Sequence, residues 1–160
     1  QFMTISRYLK KFKTWMSCAY KADKGTAGYE YPHERYVIYH YVYYGSAKIA
    51  KPFTDDVTII KANGKLIDVK KFYKQHNIFH FFEDTSMWGF NKMSDGDDWN
   101  GELLGDGKIK INSESVLVCL DGEPVVNNIK LRRYDFDELS IGKEYDIMLN
   151  SGVLALFTKI

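Results

Sequence analysis

Proline is scarce in this chain, with three in 160 residues, and cysteine is scarcer still, with two. Proline fixes φ and removes a backbone donor, so few prolines leave room for long uninterrupted elements. Cys18 and Cys119 make no CxxC or CxxH pattern. That excludes a cysteine-based zinc knuckle and a disulfide-stapled scaffold, and it fits a reduced, cytoplasmic chain. No apolar run approaches the roughly 20 residues of a membrane-spanning helix, so no membrane partner is expected. No apolar stretch follows the basic residues near the start, so no secretory leader is expected. Gln1 and Phe2 precede Met3 and read as a non-native remnant, with Met3 as the natural start. A net charge of +1 supplies no global field for nucleic acid. There is no Walker loop, no GxGxxG, no GxSxG and no paired HxT motif, so the common nucleotide, hydrolase and phosphoesterase signatures are absent.

Aromatic residues are abundant at 16%, with Tyr leading at twelve. Lysine outnumbers arginine eighteen to four, and Asn, Ile and Tyr are plentiful. This is the bias of an AT-rich genome, as in phages and mobile elements and also in many bacteria. Tyr36 to Tyr44 runs without Gly, Pro or formal charge and is rich in β-branched and aromatic residues. Neither of its alternating faces is strongly polar, which predicts a strand covered on both sides near the middle of a sheet.

Residues 4–22 place Ile5, Tyr8, Leu9, Phe12, Trp15, Met16 and Ala19 on one helical stripe. Arg7, Lys10, Lys11, Lys13 and Lys21 fall largely off it. The spacing predicts an amphipathic helix, and Lys10, Lys11 and Lys13 are its candidate nucleic-acid contacts. Gly45 is expected to close the Tyr strand, with a short strand following over 47–53. Asn63-Gly64 between two β-rich arms predicts a two-residue hairpin with positive φ at both positions. Residues 70–83 read as a short helix, with 78–82 as an alternative strand. Residues 84–106 read as a long loop. Five strands are expected near 107–112, 115–120, 124–133, 143–149 and 152–159, turning at Asp121-Gly122, Ser140 to Gly142 and Asn150 to Gly152. The fold class is thus α+β: an N-terminal amphipathic helix packed on a curved, mostly antiparallel β-sheet or small barrel. Residues 3–160 form one domain, with a sub-boundary near 106.

His76, His80 and Glu83 would share one face of a helix and are legitimate metal ligands, but the spacing lacks the zinc-protease signature. No cofactor is expected. His33 and His40 bracket the entry to the Tyr strand and are candidates for acid–base work, set against a solvent His33 and a hydrogen-bonded core His40. Charge is divided sharply. Residues 7–24 carry Arg7, Lys10, Lys11, Lys13, Lys21 and Lys24 against Asp23. Residues 83–106 carry Glu83, Asp84, Asp95, Asp97, Asp98, Glu102 and Asp106 against Lys92. Large apolar residues interleave with those acids. Trp88, Met93, Asp95, Asp97, Asp98 and Trp99 therefore form the candidate binding surface for a protein with a basic face. The expected function is a small, intracellular, non-enzymatic interaction protein or inhibitor, phage-encoded, acting through that loop. The alternatives are a small metal- or histidine-dependent hydrolase acting on nucleic acid or nucleotide, and a nucleic-acid-binding β module.

Overall fold

The computed structural model describes residues 5–12, 15–22, 27–29, 38–50, 55, 57–61, 63–68, 79–92 and 99–160. Every regular element among them is a β-strand. Two compact units divide the chain, Gln1–Gly96 and Asp97–Ile160.

Among the described residues the first unit forms a seven-stranded antiparallel sheet of β1 (Ile5–Phe12), β2 (Trp15–Ala22), β3 (Ala27–Tyr29), β4 (Ile38–Ala50), β5 (Val57–Lys61), β6 (Lys65–Asp68) and β7 (Phe79–Lys92). The order is β1-β2-β7-β4-β5, with β3 also paired to β7 and β6 also paired to β4. The strand expected at Tyr36 to Tyr44 is β4, flanked by β7 on one side and by β5 and β6 on the other. Tyr39, His40, Tyr41 and Val42 are buried in succession, so both faces are covered there.

The α+β expectation is corrected to an all-β architecture, because residues 5–22 are not a helix. They form two strands in antiparallel register from Ile5↔Lys21 to Phe12↔Trp15. The register shifts between Tyr8 and Lys10. A bulge inserts an extra residue and breaks the two-residue alternation. The apolar residues of the apparent helical stripe are shared between two strands, Ile5, Tyr8, Leu9 and Phe12 on β1 and Trp15, Met16 and Ala19 on β2.

The Asn63-Gly64 hairpin is corrected as well. β5 and β6 do not pair with each other; both lie along β4 in one common register. Ser46↔Lys61 and Val42↔Lys65 are four residues apart on each strand, so β5 and β6 are one strand interrupted at 62–64. Gly64 has φ +69. The interruption lies opposite residues 43–45 of β4, where the β4·β7 register also shifts twice. A crease thus crosses the sheet at this level, and β4 continues through Gly45 to Ala50 instead of ending there.

Residues 79–83 belong to β7, so the helix expected over 70–83 is not formed there; 70–78 lie outside the described residues. The long loop expected over 84–106 is also mostly strand: β7 runs to Lys92, and β8 (Trp99–Leu103) opens the second unit. Asp84, Ser86 and Gly89 are weak strand formers. Pairing to β4 on one edge and to β2 on the other overrides that weakness.

The second unit holds two four-stranded sheets, β13-β10-β15-β8 and β12-β11-β14-β9. Its remaining strands are β9 (Gly107–Lys110), β10 (Ser115–Asp121), β11 (Val125–Val126), β12 (Ile129–Lys130), β13 (Phe136–Leu139), β14 (Glu144–Met148) and β15 (Val153–Lys159). Leu117, Cys119, Leu154 and Leu156 of one sheet join Val126, Tyr145 and Ile147 of the other in a single apolar core. β14 alternates buried Tyr145 and Ile147 with exposed Glu144, Asp146 and Met148, the mark of a one-sided strand. β10 is buried from Ser115 through Leu120 on both faces. Four of the five expected strands match β9, β10, β14 and β15. The fifth, over 124–133, is split into β11 and β12 by Asn127 and Asn128, both at positive φ, in a two-residue turn. Asn150 and Ser151 turn β14 into β15 with the same sign of φ, but these strands belong to different sheets, so the hairpin expected at Asn150 to Gly152 is corrected to a corner. Asp121-Gly122 is a corner between sheets, not a hairpin, since β10 and β11 belong to different sheets. Among the described residues no helix is long and apolar enough to cross a membrane.

Candidate functional site

Titratable side chains are rarely buried without a reason, because an imidazole taken from water must recover its hydrogen bonds. In the first unit His40 is such a group, at 2% exposure on β4. Alternation along the strand puts His40 and Val42 on one face and Tyr39, Tyr41 and Tyr43 on the other. On its own face His40 meets Ile67 directly across on β6 and Val42 two residues along, both buried. Across on β7 the opposing residue is Gly89, which has no side chain. The register therefore sets the imidazole opposite Ile67 on one flank and opposite a glycine on the other.

The opposite face is held by tyrosines. Tyr39 donates its hydroxyl to Asp68 Oδ2 at 3.5 Å, and the two residues are direct cross-strand partners. The Tyr41 and Tyr43 rings meet edge to face, with centroids 5.0 Å apart and planes at 82°. That arrangement suits the ring quadrupoles. Gly64 lies near, with the Tyr41 hydroxyl 3.8 Å from where a Cβ would stand. Rings and the cross-strand bond hold β4 and β6 in place and so fix the strand that carries His40.

The second unit has a different interior. The core between its two sheets holds the Cys119 thiol and the Tyr145 hydroxyl among apolar side chains. That hydroxyl accepts a hydrogen bond from the Ser140 amide at 2.9 Å. The Cys119 thiol donates to the Asp121 carbonyl at 3.6 Å. Burial, with Asp135 nearby, pushes its pKa up to about 11, the opposite of an activated nucleophile. At the surface, Arg133 binds Asp121 Oδ1 at 2.6 Å and holds that carboxyl below its usual range. Arg133 also lies 5.9 Å from the ring centre of Tyr134, a bulky residue at φ +74. The Tyr134 amide donates to the Cys119 carbonyl at 2.6 Å, and the Cys119 amide donates to the Asp135 carbonyl at 2.8 Å. These bonds hold the Tyr134 backbone where it is.

The residues singled out in the sequence are scattered by the fold. Trp88 is on β7, opposite Ala19 on one side and Tyr41 on the other. Trp99 is on β8, paired with Lys159 and 4% exposed. Met93, Asp95, Asp97 and Asp98 lie outside the described residues. Lys10 and Lys11 are on β1, and Lys13 lies outside the described residues. His80 and Glu83 are on β7, so the helical spacing meant to gather them with His76 is absent. His33 and His76 lie outside the described residues. Among the described residues no three His, Cys, Asp or Glu side chains converge as a metal set. Sequence reasoning missed Gly89. Its role depends on which residue it opposes, and no signal within its own strand reveals that.

No family model and no curated protein matches this sequence. Solved structures do match in fold. Ylba from E. coli superposes with a TM-score of 0.63 at 10% identity, covering 97% of this chain and 82% of that one. A mutant of the Bacillus subtilis oxalate decarboxylase gives 0.60 at 7% identity, covering 99% and 74%. A cupin 2 conserved barrel domain protein from Leptotrichia buccalis gives 0.52 at 11% identity, covering 98% and 88%. These likenesses overturn the expected phage-encoded interaction protein and inhibitor. The segment meant to be its recognition loop is largely strand, and the structures that share the fold include a cupin and a decarboxylase. What this chain shares with them is a cupin-like, all-β architecture.

Proposed function

We propose that this is a cupin-like protein that binds a small organic acid beside His40. The observation that carries the proposal is the placement of that imidazole: buried on an interior strand, walled by Val42 and Ile67, and faced across the ladder by Gly89. An apolar surround with one placed polar group is a common feature of small-ligand sites. The imidazole supplies a hydrogen bond to a carboxylate, or a charge-assisted one when protonated. The apolar wall takes the carbon skeleton and excludes water, which strengthens that bond. Fold likeness to an oxalate decarboxylase supports the choice of a small carboxylate as ligand class.

Thermal unfolding with a panel of small mono- and dicarboxylates, beginning with oxalate, tests this. A ligand present at about a hundred times its dissociation constant should raise Tm by roughly 5–10 °C for a chain of this length. His40→Phe keeps the ring volume and removes both nitrogens, so it should abolish the shift while the protein still folds. No shift with any acid, or an equal shift in His40→Phe, overturns the reading.

A further inference from the structure

Two Asn-Gly pairs occur in the chain, Asn63-Gly64 and Asn100-Gly101, and the fold treats them differently. Asn100 and Gly101 sit inside the β8·β15 ladder, opposite Thr158 and Phe157. Asn63 and Gly64 occupy the interruption between β5 and β6, where both residues are exposed. Gly64 has φ +69, a conformation open to glycine, and its amide donates to the Val42 carbonyl at 2.8 Å. That bond stands at the end of β6, a strand of four residues. Gly64 lies outside the strand, where a bond opens by local fraying at low free energy, whereas Asn100 and Gly101, on the five-residue edge strand β8, are flanked by the paired residues Trp99 and Glu102 and are released with that strand.

We propose that Asn63-Gly64 is a site of spontaneous deamidation, and that Asn100-Gly101 is protected from the same reaction by its ladder. Once fraying releases the Gly64 amide, a solvent base takes its proton and the nitrogen attacks Asn63 Cγ. The new N–Cγ bond forms, the Cγ–Nδ2 bond breaks, and the side-chain nitrogen leaves as ammonia after taking up a proton. Water then opens the cyclic imide at either carbonyl, giving Asp or isoaspartate. No electrons are transferred, and water is the one co-reactant. Glycine favours the attack because it has no Cβ to crowd the nitrogen.

The isoaspartate product adds a backbone carbon just before Gly64. The common register of β5 and β6 on β4 is then lost at the point where β6 begins. β6 carries Ile67, which stands across from His40, and Asp68, which accepts from Tyr39. The modification is therefore a one-way change that loosens the strand beside the buried imidazole. It stands whether or not that imidazole binds an acid.

Peptide mapping by mass spectrometry after timed incubation of the full chain tests the proposal, with isoaspartate identified enzymatically. Native protein should convert Asn63 well ahead of Asn100, faster at mildly alkaline than at mildly acidic pH. In denaturing urea the two should convert alike. The Tm of the native sample should fall as isoaspartate accumulates, and Asn63→Gln should hold its Tm over the same time. The proposal is overturned if native Asn100 keeps pace with Asn63. It is equally overturned if Asn63 stays an amide in native protein while it converts in urea, or if isoaspartate forms with no fall in Tm.

Discussion

Cys119 shows how far one residue's surroundings set its chemistry. It is fully buried, and its pKa lies near 11 against an ordinary value of 9.0. The unfolded chain loses this proton first as pH rises, so the unfolded state is favoured between those two values. Stability contributed by the neutral thiol is complete below pH 9 and lost by about pH 11. Cys119→Ala should therefore show a shallower alkaline decline than the wild type, by roughly 1–3 kcal/mol across that interval. Urea melts at a series of pH values would measure it, and parallel curves would count against the burial argument. Gly122 and Gly152 make a second residue-scale case. A Cβ on Gly122 would stand 2.6 Å from the Gly152 Cα, at φ +70. Gly122→Ala should lower stability by about 2 kcal/mol or more, because clash and left-handed strain combine. An unchanged melting temperature would mean that the two turns do not touch in solution. Turn chemistry was partly legible here. Asn150-Ser151-Gly152 reads as a turn from the residues alone, whereas the contact between Gly122 and Gly152 depends on which turns meet in space.

At the scale of elements, strands with simple alternation or continuous apolar runs could be read, and strands with interruptions could not. β4 and β10 announce themselves through β-branched and aromatic runs buried on both faces. β1 and β2 did not, because their apolar residues, divided between two strands, happen to recur at helical spacing along the chain. β7 did not, because its weak strand formers are held by partners on both edges. Asn63-Gly64 carried a true turn signal, but β4 is long enough to template both arms, and the turn became a jog in one strand. Two tests belong here. Leu154 of β15 is fully buried in the core of the second unit, so Leu154→Ala should cost about 2–5 kcal/mol through the cavity it leaves. Tyr39→Phe should cost about 0.5–1.5 kcal/mol, since it removes the bond to Asp68 and keeps the ring. Denaturant melts decide both. A Tyr39→Phe protein as stable as wild type would show that the cross-strand bond does not fasten β6.

For the whole molecule, the sequence pointed to a charge-divided surface and a binding loop, while the fold points to an interior strand. The acids and aromatics of 83–106 are consecutive and easy to see, but much of that segment is spent on β7 and β8. His40 was visible as one residue in a tyrosine-rich strand. What singles it out is its set of neighbours, Val42, Ile67 and Gly89, which come from three strands. Such a site belongs to topology, and local periodicity carries no trace of it. A titration of small carboxylates into histidine-labelled protein, followed through the imidazole resonances, shows whether an acid binds beside His40. One acid, with oxalate first to be tried, should shift the His40 ring saturably and leave the other histidines in place, and the signal that moves should be absent from His40→Phe. Saturable shifts at another histidine, or an unmoved His40 ring while the acid binds, would contradict it.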